Sequence, residues 1–302
     1  MSFIEKIRQS IEGYPFIYRP AIVLSHLCFS SLYNKRKIGG GTDSAEYCYS
    51  VFLRHSKSKS DNGEEQIPER VAELGPGSSI GVGLCFLLAG ANQYYAFDAI
   101  EHASTDGNIG ILNELVNIFR SAGREISDDR ISLIRDRLTN PAVSAEIEGN
   151  DDIVIKYVAP WQNYGKRLPD VDLFFSQAVL EHVDELDPVY AVIAETIRKR
   201  KGIISHVIDL KSHLIGIRWN EHWAFSDTVW KMLRSRRPYL INREPLSTHI
   251  NLLEKYGYNI LKKEVHTINR PSIRTRELKG RFKNMQDDDF STSECYLTAT
   301  LK

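Results

Sequence analysis

Short apolar runs bounded by glycine or proline alternate along this chain with longer segments whose apolar residues recur at helical spacing. Residues 71–74 are one such run, ending at a glycine turn from which residues 78–88 continue as an apolar helix. Residues 93–98, "QYYAFD", read as a second strand. Residues 108–122 then carry Ile109, Leu112, Val116 and Phe119 on one helical face, with Gly123 placed to stop the helix. Residues 124–150 are polar and helix-like and read as an insertion. Third and fourth strands are expected at 152–158 and 171–176. Asp187 and Pro188 offer an N-cap and a first-turn proline to a helix with Val189, Val192, Ile193 and Ile197 on its apolar face; Gly202 ends it before a fifth strand at 203–209.

Strands alternating with helices call for right-handed crossovers and a mostly parallel sheet covered on both faces, a doubly wound α/β fold. The tail changes character. Residues 247–256 read as a helix followed by Gly257, and 259–268 and 293–302 as strands joined by a basic, proline-containing loop, so an antiparallel closing pair is expected. At the other end, residues 21–33 read as a packed helix too short to span a bilayer, and the charge-rich run 54–70 as a solvated linker. The expected division is an N-terminal helical cap and linker over 1–60 and a main domain over 61–302.

With 39 basic and 39 acidic residues among 302, charge implies no overall attraction to nucleic acid or acidic lipid. The four cysteines are scattered without a CxxC pair, and the N-terminus lacks the order of a signal peptide. A cytoplasmic chain with reduced thiols, no membrane span and no structural zinc is expected.

The glycine turn raises the functional question. Gly75 and Gly77 flank Pro76 and let backbone approach a ligand closely, and the following helix is expected to aim free N–H groups at the same spot. Asp98 follows at the end of the next strand, roughly where an acid meets a ribose diol. Turn, helix start and acid describe a nucleoside cofactor. A dinucleotide would use Gly75, Gly77 and Gly81 as a GxGxxxG variant.

"ELGPGSSIG" closely resembles the first motif of class I S-adenosylmethionine-dependent methyltransferases, with Glu73 as the acid before the turn. "YYAFD", "VDLFFSQAVLEHV" and "IISHVID" resemble the motifs of that family's second, fourth and fifth strands. The resemblance implies a Rossmann-like methyltransferase fold, seven-stranded with a reversed last strand, and S-adenosyl-L-methionine as cofactor. It implies that Glu73, Gly75, Pro76 and Gly77 border the methionine and ribose portions and that Asp98 binds the ribose hydroxyls, with Ser176 and Gln177 at the end of the fourth strand. "VAPWQN" stands where many relatives carry an acid for the adenine amine, so Ala159 and Trp161 are expected to supply backbone and an apolar wall instead. "SHVIDLKSH", "WNEHW" and "INREPLS" look like a subgroup associated with bacterial surface-glycan and small-molecule gene clusters.

Acceptor chemistry is expected beyond the fourth and fifth strands, at Gln177, Glu181 and His182 and at His206, Asp209 and His213. His182 and His213 are the leading bases, since imidazole titrates near neutrality, and Asp209 is placed to orient one of them or to accept from a substrate hydroxyl; His206, inside a strand, reads as core. A metal shared by His206, Asp209, His213 and His222 matches no strong ligand spacing, and none is expected. The insertion at about 211–246 reads as an acceptor lid: Trp219, Trp223 and Trp230 stack on a ring or fill a core, and Arg236, Arg237 and Arg243 bind an anion or face solvent. The expected activity is methyl transfer to a small-molecule or glycan acceptor, most simply O-methylation. The alternatives are a nicotinamide-dependent oxidoreductase and a non-catalytic interaction protein on a cofactor fold.

Overall fold

The apolar runs become the strands of one sheet. A computed structural model of the chain describes residues 14–28, 41–58, 65–140, 153–161, 168–213, 215–236, 239–269 and 272–302. Its strands are β1 (Arg70–Leu74), β2 (Gln93–Phe97), β3 (Val154–Val158), β4 (Leu173–Gln177), β5 (Ile203–Asp209), β6 (Tyr258–His266) and β7 (Glu294–Leu301). They lie in the order β3-β2-β1-β4-β5-β7-β6. β1 to β5 are parallel, and β7 runs antiparallel to both β5 and β6. This is the doubly wound seven-stranded sheet with a reversed last strand that the sequence implies. Strand order reverses between β1 and β4, the place where such sheets open a ligand crevice.

The helices are α1 (Pro15–Cys28), α2 (Ala45–His55), α3 (Gly81–Ala89), α4 (Thr105–Ser121), α5 (Asp128–Thr139), α6 (Leu186–Arg198), α7 (Asp227–Arg236), α8 (Leu246–Lys255) and the short α9 (Asp287–Ser291). Helices α2 to α5 cover one sheet face around Phe52, Phe86, Leu112 and Ile134; α6 and α8 cover the other around Tyr190, Ile193, Ile197 and Leu253. Residues 128–139, within the expected polar insertion, form α5 behind an N-cap at Ser127, whose hydroxyl accepts from the Arg130 amide at 3.2 Å; residues 141–152 lie outside the described residues.

Three local expectations are corrected. α2 runs through Arg54 and His55, the first residues of the expected linker, and packs into the same core as α3. α3 begins at Gly81 and not at Ser78. Asp187 does not cap α6: the N-cap is Glu185, and the Asp187 carboxylate is taken by Lys255 and Tyr256 at the end of α8.

Between β5 and α8 the insertion builds cores of its own. Trp230 packs with Ile215, Phe225 and Leu233, against which Val23 of α1 rests; Trp219 and Trp223 pack with Ile273, Leu278 and Phe282 from the β6–β7 connection. Indole nitrogens of Trp223 and Trp230 donate to the Arg243 and Ile241 carbonyls at 3.1 Å. These tryptophans are therefore core and not a stacking surface. Arg243 is likewise structural: buried, it donates to Asp227 at 2.6 Å and lies over the Trp230 and Phe282 rings. Arg237 and the Arg236 side chain lie outside the described residues. Among the described residues no helix is long and apolar enough to cross a membrane.

Candidate functional site

At the crevice between β1 and β4 the chain encloses a cavity of about 970 Å³. Glu73, Gly75, Pro76, Gly77, Asp98, Trp161 and Gln177 all line it. Gly75 and Gly77 adopt φ of +70° and +76°, and a Cβ on Gly75 would stand 2.6–2.7 Å from the Val179 γ-carbons. Only glycine makes this turn without strain.

Asp98 is oriented by backbone. One carboxylate oxygen accepts from the Ala99 amide at 2.7 Å and the other from the Gly77 amide at 3.4 Å. Partial burial pushes its pKa up, and those amides partly offset the shift. Glu73 is buried beneath the turn and accepts from the Tyr94 hydroxyl. Burial pushes it up to about 8, against the lowering effect of Tyr94. Tyr94 stands close because α3 presents Gly83 to it: a Cβ there would lie 2.1–2.3 Å from the ring. Sequence reasoning missed both supports, although a glycine inside a helix is itself a sign of close packing.

The start of α3 differs from expectation. The Ser79 amide donates to Thr42 Oγ1 at 3.3 Å, the Ile80 amide to Asn108 Oδ1 at 3.0 Å and the Gly81 amide to Ser79 Oγ at 3.1 Å. These N–H groups are taken by the protein and do not face a ligand, because α2's leading loop and α4 close over the helix end.

α2 also shapes the cavity, contributing Tyr47 and Val51 to its wall. Its last turn positions Gln177, whose Oε1 lies 3.4 Å from Arg54 Nη1 and 3.3 Å from His55 Nε2. Ser176 and Ala159 do not line the cavity. Alternation along β4 turns the Ser176 hydroxyl to His206 Nδ1, 2.8 Å away in the core. From the segment after β3 it is Trp161 that reaches the cavity, its amide donating to the Asp98 carbonyl at 2.7 Å.

His182, on the turn Leu180–His182, lines the cavity. Its Nδ1 lies 2.6 Å from the Tyr239 carbonyl oxygen, which can only accept; Nδ1 therefore carries the proton and Nε2 the lone pair. Burial, with His213 adding, pushes this imidazole down to about 4, so the near-neutral titration expected of it is absent. The His213 ring centroid is 4.9 Å from that of His182, and its Nε2 is 3.5 Å from Asp209 Oδ2. Burial alone would raise Asp209; contacts with His213 and Lys211 outweigh it and hold the carboxyl at about 2. The structure thus brings His182, His213 and Asp209 together, with His182 as the member that lines the cavity.

His206 and His222 do not join them. Both are buried, His206 on Ser176 and His222 with its ring 4.5 Å from that of Trp223. The insertion reaches the cavity through Arg234, Ser235 and Tyr239.

No protein-family model and no curated protein sequence matches the chain. Among solved structures it is similar to an S-adenosylmethionine-dependent methyltransferase from Mesorhizobium loti, at 13% identity and a TM-score of 0.42, covering 86% of this chain and 100% of that one. It is also similar to magnesium protoporphyrin IX methyltransferase from Synechocystis PCC 6803 with bound SAH, at 13% identity and a TM-score of 0.40, covering 85% and 83%.

Proposed function

We propose that this chain is an S-adenosylmethionine-dependent methyltransferase whose acceptor is a small molecule, methylated most simply on oxygen. One observation carries this reading. Glu73, Gly75, Gly77 and Asp98 converge on a single cavity, while three amides at the entry to α3, those of Ser79, Ile80 and Gly81, are already bound to Thr42, Asn108 and Ser79 and are withdrawn from gripping a pyrophosphate. A dinucleotide would lose its main phosphate contact here; a methyl donor, which carries no phosphate, would not.

The residues present fit that donor. Asp98 would accept from the ribose hydroxyls, the turn at Gly75 and Gly77 would let backbone approach, and Trp161 would give an apolar face to the base. The bound donor supplies an activated methyl group on a sulfonium, so the protein's task is to align an acceptor and exclude water. A volume near the upper end of ligand-site sizes supports room for both molecules. Beyond the turn the wall mixes apolar Val179, Val183 and Val189 with charged Asp184, Glu185 and Arg234, which suits an acceptor that carries both an apolar body and polar groups. His182 presents its lone-pair nitrogen in that wall, and His213 and Asp209 stand behind it.

The test is transfer of radiolabelled methyl from S-adenosylmethionine to pools of hydroxyl-bearing small molecules. Label should appear in an acceptor, and His182→Ala should slow transfer about a hundred- to ten-thousandfold while leaving cofactor affinity unchanged. Transfer to no acceptor alongside tight binding of NAD would overturn the proposal.

A further inference from the structure

We propose that Glu181, His182 and His213 form a binding site for one divalent transition-metal ion in the wall of the cavity. The site is inferred from its own geometry; only its use in methyl transfer rests on the function proposed above. Each of the three residues offers one ligand atom, and these atoms all lie within 4.8 Å of one another. Metal bonds of about 2.0–2.2 Å require only modest side-chain adjustment from there.

Glu181 is the independent sign. It is 2% exposed, and neither carboxylate oxygen meets a donor in hydrogen-bonding geometry. A buried carboxylate is ordinarily paired or bound to a metal. The nearby cation, Lys211, is engaged with Asp209 at 2.8 Å and Glu294 at 3.4 Å.

The surroundings are those of metal-bound histidines, whose second nitrogen commonly rests on a carbonyl or a carboxylate. His182 gives its Nδ1 proton to the Tyr239 carbonyl at 2.6 Å; His213 Nε2 lies 3.5 Å from Asp209 Oδ2, near the carboxylate without closing a hydrogen bond. Two imidazoles and one carboxylate suit zinc, manganese, iron or cobalt better than magnesium or calcium. Three protein ligands leave positions open, and His182 lines the cavity, so an ion here would serve an acceptor oxygen as a Lewis acid, with His182 Nε2 acting as a ligand in place of the base it would be in the ion's absence.

The test uses the full chain, in a Cys28→Ser background that removes the exposed thiol, stripped with a chelator and titrated with Co²⁺. Visible d–d absorption and elemental analysis should report one ion per chain. Glu181→Gln and His213→Ala should each weaken binding at least tenfold, while thermal unfolding shows them folded. S-adenosylhomocysteine is titrated in parallel. Co²⁺ bound without S-adenosylhomocysteine would support the site and count against methyl transfer; S-adenosylhomocysteine bound without Co²⁺ would overturn the site alone. Unchanged Co²⁺ affinity in both variants would also overturn it.

Discussion

Glu73 shows how much one buried group can say about pH. Burial raises it to about 8 from the usual 4.5, so between those values the folded chain keeps a proton that the unfolded chain has released. Stability from this group is full below about pH 4.5 and falls as pH rises towards 8. Glu73→Gln removes the titration. Its unfolding free energy relative to the parent should therefore climb with pH across that window, by up to about 1.4 kcal/mol per unit. Denaturant melts of both proteins at several pH values check this; parallel profiles would show Glu73 ionised throughout. Residues of this kind were legible to different degrees. Gly75, Gly77 and Asp98 stand out because a left-handed turn and an acid at the end of the next strand restrict residue type locally. Ser176 was misplaced because its role depends on which strand face meets His206; Trp219 and Trp223 were left between ring stacking and core because their partners Ile273 and Phe282 are far away in sequence.

Elements were easier to find than their ends. Strands buried on both faces are nearly continuous apolar runs, which is why β1, β2 and β4 could be placed. Helix starts depend on partners from elsewhere: Thr42 and Asn108 take the amides before α3, and Lys255 draws Asp187 out of a capping role. Three glycines separate local conformation from packing. Gly75→Ala meets both a positive φ and Val179, and should cost about 1–3 kcal/mol and abolish S-adenosylhomocysteine binding. Gly83→Ala should destabilise through Tyr94, whose ring cannot yield as a flexible chain end would. Gly110, exposed inside α4 with nothing within 4 Å of an added Cβ, should stabilise by about 0.8–1 kcal/mol when changed to Ala. Unfolding curves and calorimetry on the three variants test the set, and normal binding by Gly75→Ala would show that this turn is not the cofactor loop.

At the scale of the whole molecule, the N-terminal segment is tied to the rest at two levels. α2 is part of the sheet's own packing, with Phe52 and Phe86 ring centroids 5.0 Å apart, a contact that no local pattern in the sequence reports. α1 is held by ion pairs to the insertion and to the β6–β7 connection: Arg19 meets buried Glu221 at 2.5 Å and Glu277 at 2.9 Å. Arg19→Ala should cost about 3 kcal/mol and expose α1 to protease while leaving the sheet protected; proteolysis at parental rates would show that α1 is held by its apolar contacts and the Tyr18–Glu221 hydrogen bond without the ion pairs. The central claim, that the cavity at the strand switch holds a methyl donor, is tested most directly by calorimetric titration of the purified chain with S-adenosylhomocysteine and, separately, with NAD. The account predicts one S-adenosylhomocysteine site per chain, weakened roughly tenfold to a hundredfold by Asp98→Ala as the ribose hydrogen bonds are lost, and no comparable affinity for NAD. Tight NAD binding without S-adenosylhomocysteine binding, or an Asp98→Ala variant that binds like the parent, would contradict it.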